Sequence, residues 1–297
     1  MSRAVLIVNP FSSGVTLPLV ERVGAALARV TEVTVKQTRA RGHATELATE
    51  AAADADAVIV FSGDGTYNEA VNGHVGTTPF GFIPGGGSSV FPRGLGLPRD
   101  PVGAAIRIAE AIEADRTRMI SLGRVNGRRF CFSAGVGFDA EAVRRVDSRG
   151  RAADGRRAGN FAFVLTIARQ LAERRLRYGP EVTVHGYGRA AFVLVANGRP
   201  YTYAGPIPLR MVRDSDYGGG LAFAAPTEVR PLTVPRLLTD MWRGVTNKHP
   251  LVLADREVDR LHIVCDRPLP LHSDGEDLGD VVEAMFEAER NALRVFV

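Results

Sequence analysis

The first part of the chain alternates short, wholly apolar runs with segments of helical spacing. Residues 4–8 are apolar throughout and stop at Asn9-Pro10, which predicts a strand buried on both faces with a loop at its C-terminal end. Residues 18–30 set Leu19, Val23, Ala26, Leu27 and Val30 at helical spacing. Residues 33–37 predict a second strand, 45–53 an alanine-rich helix, 57–61 a third strand and 79–83 a fourth. A helix starts over 67–72. Another spans 100–113, with Val102, Ile106 and Ile108 expected to face the core. Strands alternating with helices predict a parallel α/β sheet. Three of the four strands end in small or polar loops, so a ligand site is expected along that rim.

The pattern changes after about residue 120. Apolar runs at 119–125, 128–132, 181–185, 190–196, 220–225, 261–265 and 284–297 predict strands. Asn126-Gly127 between two such runs signals a tight hairpin, and Asn197-Gly198 a further turn. Helices are expected at 139–146, 160–177 and 234–244. The fold expected is an α/β N-terminal domain with a parallel sheet, residues 1–120, followed by a β-rich antiparallel second domain, residues 121–297.

Composition narrows the class of protein. The chain has 297 residues, 45% apolar and 24% charged, which excludes a largely disordered chain. Lysine occurs only at Lys36 and Lys248, so nearly all of the 37 basic residues are arginine. Arginine pairs phosphate oxygens bidentately. The net charge is only +4 and no basic and aromatic residues interleave, which argues against nucleic acid as a partner. Cys131 and Cys265 lie far apart, without disulfide or metal-ligand spacing, as suits a reducing cytoplasm. No apolar run reaches the ~18–20 residues that span a bilayer. The N-terminus runs directly into a strand with no signal-peptide core. The expected location is the cytoplasm, with peripheral contact at the inner face of the membrane compatible with it. A dimer is compatible with the sequence.

The chemistry is concentrated in loops. Ser62-Gly63-Asp64-Gly65-Thr66 follows a buried strand and opens a helix. Glycines there let phosphates approach the backbone, and amides at a helix start attract anions. Asp64 suits a magnesium ion that accompanies phosphates, or a base for a substrate hydroxyl. It equally suits a helix N-cap. Gly85-Gly86-Gly87 after the fourth strand reads as a second phosphate loop or as a flexible turn.

Five blocks together resemble the diacylglycerol kinase catalytic family, which includes bacterial diacylglycerol kinases and sphingosine kinases. Residues 62–73 are similar to its Gly-Gly-Asp-Gly-Thr-x-Asn-Glu-Val-x-Asn-Gly block, and Asn9-Pro10-Phe11-Ser12-Ser13-Gly14 to its first block. Thr38 with Gly42-His43-Ala44-Thr45-Glu46-Leu47-Ala48, Gly135-Val136-Gly137-Phe138-Asp139-Ala140, and Asp274-Gly275-Glu276 match three more, in the family's order. The resemblance implies a nucleotide-binding first domain, a lipid-substrate second domain, and an active site between them that carries the late Asp-Gly-Glu. It implies transfer of the ATP γ-phosphate to a lipid hydroxyl at a membrane surface, with magnesium. By motif position, Asn9, Thr38, Ser62, Gly63, Asp64, Gly65, Thr66, Glu69 and Gly86 hold the nucleotide, Asp64 its metal. Asp274 is the implied general base, Asp64 a rival for that role, and Gly275 and Glu276 stand beside the nucleotide. Diacylglycerol is the default acceptor. Another lipid, an NAD kinase, or a nucleotide-binding regulator without catalysis are the alternatives.

Three departures from the family pattern stand out. Ser62 replaces its first glycine. Gly87, Ser89 and Val90 replace a Thr, an Asn and an Asp in its next block. Where many members carry an Asp for a structural magnesium, this chain has Gly218, with Asp214 and Asp216 nearby. Outside the blocks, Arg144, Arg145, Arg149, Arg151, Arg156 and Arg157 read as a solvated loop or as a patch for anionic lipid. Trp242 is expected in the core or an interface. His272 is expected as a neighbour of Asp274, not a catalyst.

Overall fold

In a computed structural model of the protein the chain divides into two units. The residues described are 2–73, 76–147, 166, 169–170, 172–173, 177–198, 200–204, 207–211 and 217–297. The first unit takes its described residues from Met1–Ile120 and Asn291–Val297, the second from Ser121–Ala152 and Arg157–Arg290. The last residues of the chain, expected with the second domain, thus lie in the first unit.

The first unit is built on β1 (Arg3–Val8), α1 (Leu17–Leu27), β2 (Glu32–Gln37), α2 (His43–Asp54), β3 (Ala57–Ser62), α3 (Asp64–Asn72), β4 (Phe80–Pro84), α4 (Val90–Gly94) and α5 (Pro101–Glu113). β1 pairs in parallel with β2 on one side and β3 on the other, and β3 pairs in parallel with β4. Every residue of β3 and β4 is buried, as their unbroken apolar runs require. Leu6, Val8, Ile59, Phe61, Ile83 and Ile108 form the core on one face, where α1 packs against α5. On the other face Tyr67, Phe82 and Phe91 make edge-to-face contacts, with centroids 5.4 and 4.7 Å apart. Ile106, expected in the core, is exposed, because the helix turns Ala105 and Ile108 inward instead. α3 starts at Asp64, three residues before the predicted start.

The second unit takes up the chain along β5 (Thr117–Val125), which pairs with β6 (Arg128–Phe130) through Asn126-Gly127, both at positive φ. That is the tight hairpin the sequence predicts. β7 (Ser133–Val136) and α6 (Phe138–Asp147) follow. Then come β8 (Val182–Val184), β9 (Gly188–Ala190), β10 (Val193–Ala196), β11 (Thr202–Ala204), β12 (Ile207–Leu209) and β13 (Leu221–Pro226). α7 (Val234–Arg243), β14 (Val252–Val258), β15 (Arg260–Ser273) and β16 (Glu276–Phe296) complete the chain. Antiparallel pairing runs β14-β13-β10-β7-β15-β16. Alternation splits β10 between two cores: Val193 and Val195 pack with Val136 and Phe223, Leu194 and Ala196 with Tyr201 and Met241.

The fold is the expected one, a parallel α/β part and a β-rich antiparallel part. β15 and β16 run far longer than predicted, and β14, with Asp255, Arg256 and Glu257 exposed, was not predicted. The helix expected at 160–177 lies mostly outside the described residues, as do Asp214, Asp216, Arg149, Arg151, Arg156 and Arg157.

Candidate active site

Parallel strands carry their ligands at the carboxyl ends, where neighbouring connections leave in opposite directions. Here β1 lies between β2 and β3, so the crevice opens beyond Val8 and Ser62. Three loops meet there. Gly14 N–H donates to Gly85 O at 2.8 Å, Ser12 Oγ to the same oxygen at 2.7 Å, and Gly85 N–H to Ser62 O at 2.6 Å. The loops touch through bare backbone. A Cβ on Gly86 would lie 2.8 Å from Gly63 Cα, and one on Gly14 would lie 2.9 Å from Gly85 O. Side chains are excluded from this floor, and backbone is what a phosphate needs to approach.

The polar side chains brace that floor. Asn9 Nδ2 donates to Thr66 Oγ1 at 2.9 Å, and its Oδ1 accepts from Phe11 N–H at 3.0 Å. Ser62 Oγ donates to Thr66 Oγ1 at 2.8 Å. Tyr67, fully buried on α3, donates its hydroxyl to Ser62 O and Ile83 O. Burial and then the Asp64 charge push its phenol well above its ordinary range. Gly63 is the N-cap of α3, so Asp64 does not cap its own helix. Its carboxylate instead accepts from Val90 and Phe91 N–H, both at 3.1 Å, and so caps α4. Ser89, the residue before, stands at φ 44°. Glu69 accepts from Ala44 N–H at 3.3 Å at the start of α2, and Thr38 is buried with its N–H on Val8 O. Asn9, Ser62, Gly63, Thr66 and Gly86 are therefore brought together at the loop crossing. Glu69 serves α2, and Thr38 packs after β2.

In the second unit, Asp274-Gly275 is the two-residue turn joining β15 to β16. Their φ values are 47° and 79°, and Ser273 pairs with Glu276. From this turn the Asp274 carboxylate reaches the chain between β6 and β7. It accepts from Cys131, Phe132 and Ser133 N–H at 2.6, 2.9 and 3.1 Å. Asp274 is 3% exposed, so these charge-assisted bonds fix its direction. Glu276 meets Arg128 at 3.4 Å.

His272 stands beside this turn, as expected, but within a network the sequence did not reveal. Its Nε2 lies 2.7 Å from Asp139 Oδ2 and 3.2 Å from the Tyr201 hydroxyl, which also donates to Asp139. All three are buried. Asp139 accepts from both, which places the ring proton on Nε2; Nδ1 is buried without a partner among the described residues. Burial, with the Asp139 charge, raises the Tyr201 phenol far above its ordinary range. A side chain on Gly135 would overlap the Asp139 carboxylate, and Gly137 stands at φ 97°. Both glycines of that block therefore have physical causes.

Two surface expectations are narrowed. Arg144 is held by Asp277 at 2.9 Å and Asp280 at 2.6 Å, and Arg145 by Glu141 and Glu173. The described part of the arginine cluster is thus neutralised by carboxylates. Trp242 is 57% exposed, because α7 turns Met241 inward and leaves Trp242 on the outer face.

A glycine-floored crevice at the switch point of a parallel sheet is where an open α/β fold takes a phosphate-bearing ligand. Residues 3–125 match the family described as the diacylglycerol kinase catalytic domain. The chain is 36% identical over 122 residues to a diacylglycerol kinase of Bacillus subtilis, spanning 40% of this chain and 39% of that protein's length. Its fold is similar to a diacylglycerol kinase structure from Bacillus anthracis, with a TM-score of 0.73 at 20% identity, covering 99% of this chain and 96% of that one. It is less similar to an NAD kinase from Archaeoglobus fulgidus in complex with ATP, with a TM-score of 0.53 at 13% identity over 99% of this chain and 93% of that one. Among the described residues no helix is long and apolar enough to cross a membrane.

Proposed function

We propose that the protein is an ATP-dependent lipid kinase that phosphorylates a lipid hydroxyl, with diacylglycerol as the first acceptor to test. The observation that carries this is the backbone contact of Gly63 with Gly86 within the matched family segment. On this reading the amides of Gly63 and Gly65 meet the phosphates over the bare backbone of Gly86, and Asn9 and Ser62 hold Thr66 in place. Thr38 and Glu69 position the loop before α2.

Among the described residues no three carboxylate, histidine or cysteine groups converge as a metal cage. A magnesium ion carried mainly by nucleotide phosphates needs only one or two protein carboxylates, and Asp64 suits it. Magnesium, when bound, neutralises charge on the transferring group. Asp274 takes the proton of the lipid hydroxyl as that oxygen bonds to the γ-phosphorus. The bond from phosphorus to the β–γ bridging oxygen breaks, and ADP leaves with that electron pair.

Labelled ATP with a mixed lipid extract tests this. The wild type should label a lipid, and Asp274→Asn should lose roughly 10²–10⁴-fold in rate, as loss of a base does. ATP binding without any labelled lipid would instead leave a nucleotide-binding regulator. Label in NAD would move the assignment to an NAD kinase.

A further inference from the structure

We infer that Asn197 is a positioning residue for Asp274: its side chain fixes the row of backbone amides that aims the Asp274 carboxylate. The inference rests on the lipid-kinase reading for the role of Asp274, and its geometry lies wholly within the second unit. Asn197 follows β10 and is fully buried. Its Nδ2 carries two hydrogens, and both go to backbone carbonyls. One bond reaches Ser121 O on β5 at 2.8 Å, the other Cys131 O at 2.9 Å. The Asn197 N–H donates to Phe132 O at 3.0 Å. Cys131 and Phe132, whose carbonyls Asn197 holds, are two of the three residues whose N–H groups meet the Asp274 carboxylate. The third is Ser133, and its carbonyl accepts from Asp274 N–H at 2.7 Å. The stretch 131–133 is therefore bonded through its N–H groups to Asp274 and through its carbonyls to Asn197 and Asp274.

The choice of side chain at 197 points the same way. Carbonyls only accept, so the amide must turn its NH2 to Ser121 O and Cys131 O. Its Oδ1 is then buried without a partner among the described residues. An unpaired buried acceptor is unfavourable, and an apolar side chain would avoid it. What the amide provides is the bridge from β5 to the amide row. The far end of that bridge is anchored: Ser121 N–H donates to Tyr217 O at 2.5 Å. The Tyr217 ring lies against Gly198, where a Cβ would come within 2.5 Å of it. Asn197-Gly198, a turn signal in the sequence, has this clamp as its physical content. A misplacement of about 1 Å can lower a rate 10²-fold, so a base on a two-residue turn gains from a fixed direction. The amide row supplies that direction, and Asn197 holds the row.

Asn197→Ala removes both donors, and Asn197→Ser keeps one hydroxyl donor. Each is made in the full-length protein, alone and with Asp274→Asn, and assayed with labelled ATP and short-chain diacylglycerol in detergent. Asn197→Ala should lower kcat roughly 10–10²-fold with KM for ATP within about twofold, and Asn197→Ser should recover part of the rate. In the Asp274→Asn background the same substitutions should change kcat less than about twofold, because the group they aim is gone. Hydrogen exchange at the Cys131, Phe132 and Ser133 amides should quicken roughly tenfold or more in Asn197→Ala. Thermal unfolding checks that the variants fold, and Asn197→Ser carries the comparison if Asn197→Ala does not. Equal losses of kcat in both backgrounds would overturn the inference and leave Asn197 a structural residue. Unchanged exchange at the three amides would overturn it as well. A wild type that labels neither diacylglycerol nor any lipid of a mixed extract sinks the kinase reading instead. The exchange measurement, which needs no activity, then still decides whether Asn197 holds the amide row.

Discussion

Gly63 and Gly86 approach each other so closely that a Cβ on Gly86 would stand 2.8 Å from Gly63 Cα. Neither loop can retreat freely, because Gly85 N–H is tied to Ser62 O. Gly86→Ala must therefore move backbone. The expected cost is about 1–3 kcal/mol of stability, as in overpacked sites, with loss of nucleotide affinity. Gly87→Ala is the control, since nothing lies within 4 Å of its added methyl. Thermal unfolding and nucleotide titration of the two variants measure this. Equal effects at both positions would show that the crossing is not tight.

Asp64 joins two jobs that a pair of variants separates. Asp64→Ala removes the acceptor for Val90 and Phe91 N–H and should cost roughly 0.5–2 kcal/mol, as lost caps do. Asp64→Asn keeps one acceptor oxygen and should cost less. If Asp64 also serves magnesium, both variants lose phosphoryl transfer. If it only caps α4, activity follows the melting temperature, and Asp64→Asn recovers most of it.

The strands of the first unit were legible because they are buried on both faces, which leaves unbroken apolar runs such as Val58–Phe61 in β3. The start of α3 was not, because Gly63-Asp64-Gly65 has the composition of a turn. Nothing local in the sequence says that Asp64 caps a helix that starts 26 residues later. β14 escaped because it ends the sheet order, and such a strand carries charge against further pairing. β15 and β16 were read as short strands. Asp266, Arg267 and Pro268 interrupt one apolar pattern, and the other alternates with charge at Asp280, Glu283 and Glu287. Asp274-Gly275 was noticed through the family resemblance, although it is also an ordinary hairpin signal. The His272–Asp139–Tyr201 network could not be read, since its members lie up to 133 residues apart.

Tyr67 and Tyr201 are buried with phenols raised well above the ordinary value near 10. The unfolded chain releases these protons near pH 10 while the folded chain keeps them. The folded state then binds more protons, so stability is full below about pH 10 and falls as pH rises above it. The slope is about 1.4 kcal/mol per pH unit for each tyrosine. Tyr201→Phe should flatten the alkaline arm by one such share, and at neutral pH cost about 1–3 kcal/mol through the Asp139 bond left unmade. The Cys265 thiol, pushed up to about 11 by burial, acts from a lower pH, so Cys265→Ala identifies its part. Urea unfolding across alkaline pH reads all three. An unchanged slope in Tyr201→Phe would contradict the assignment.

Arg144 distinguishes a structural arginine from a lipid-facing one. Its guanidinium makes two bonds to Asp277, at 2.9 and 3.1 Å, and reaches Asp280 at 2.6 Å. Those partners, the Asp277 bonds first, raise its pKa further above an already high value. Asp277 follows Glu276 at the start of β16, so Arg144 ties α6 to the strand that leaves the Asp274 turn. Arg144→Glu would set three carboxylates against each other. Because the site is about a third exposed, solvent screens much of that repulsion, and the expected loss is about 1 kcal/mol. Vesicle partition should stay within about twofold of wild type. A large fall in partition with unchanged melting would instead make Arg144 part of the lipid-facing surface.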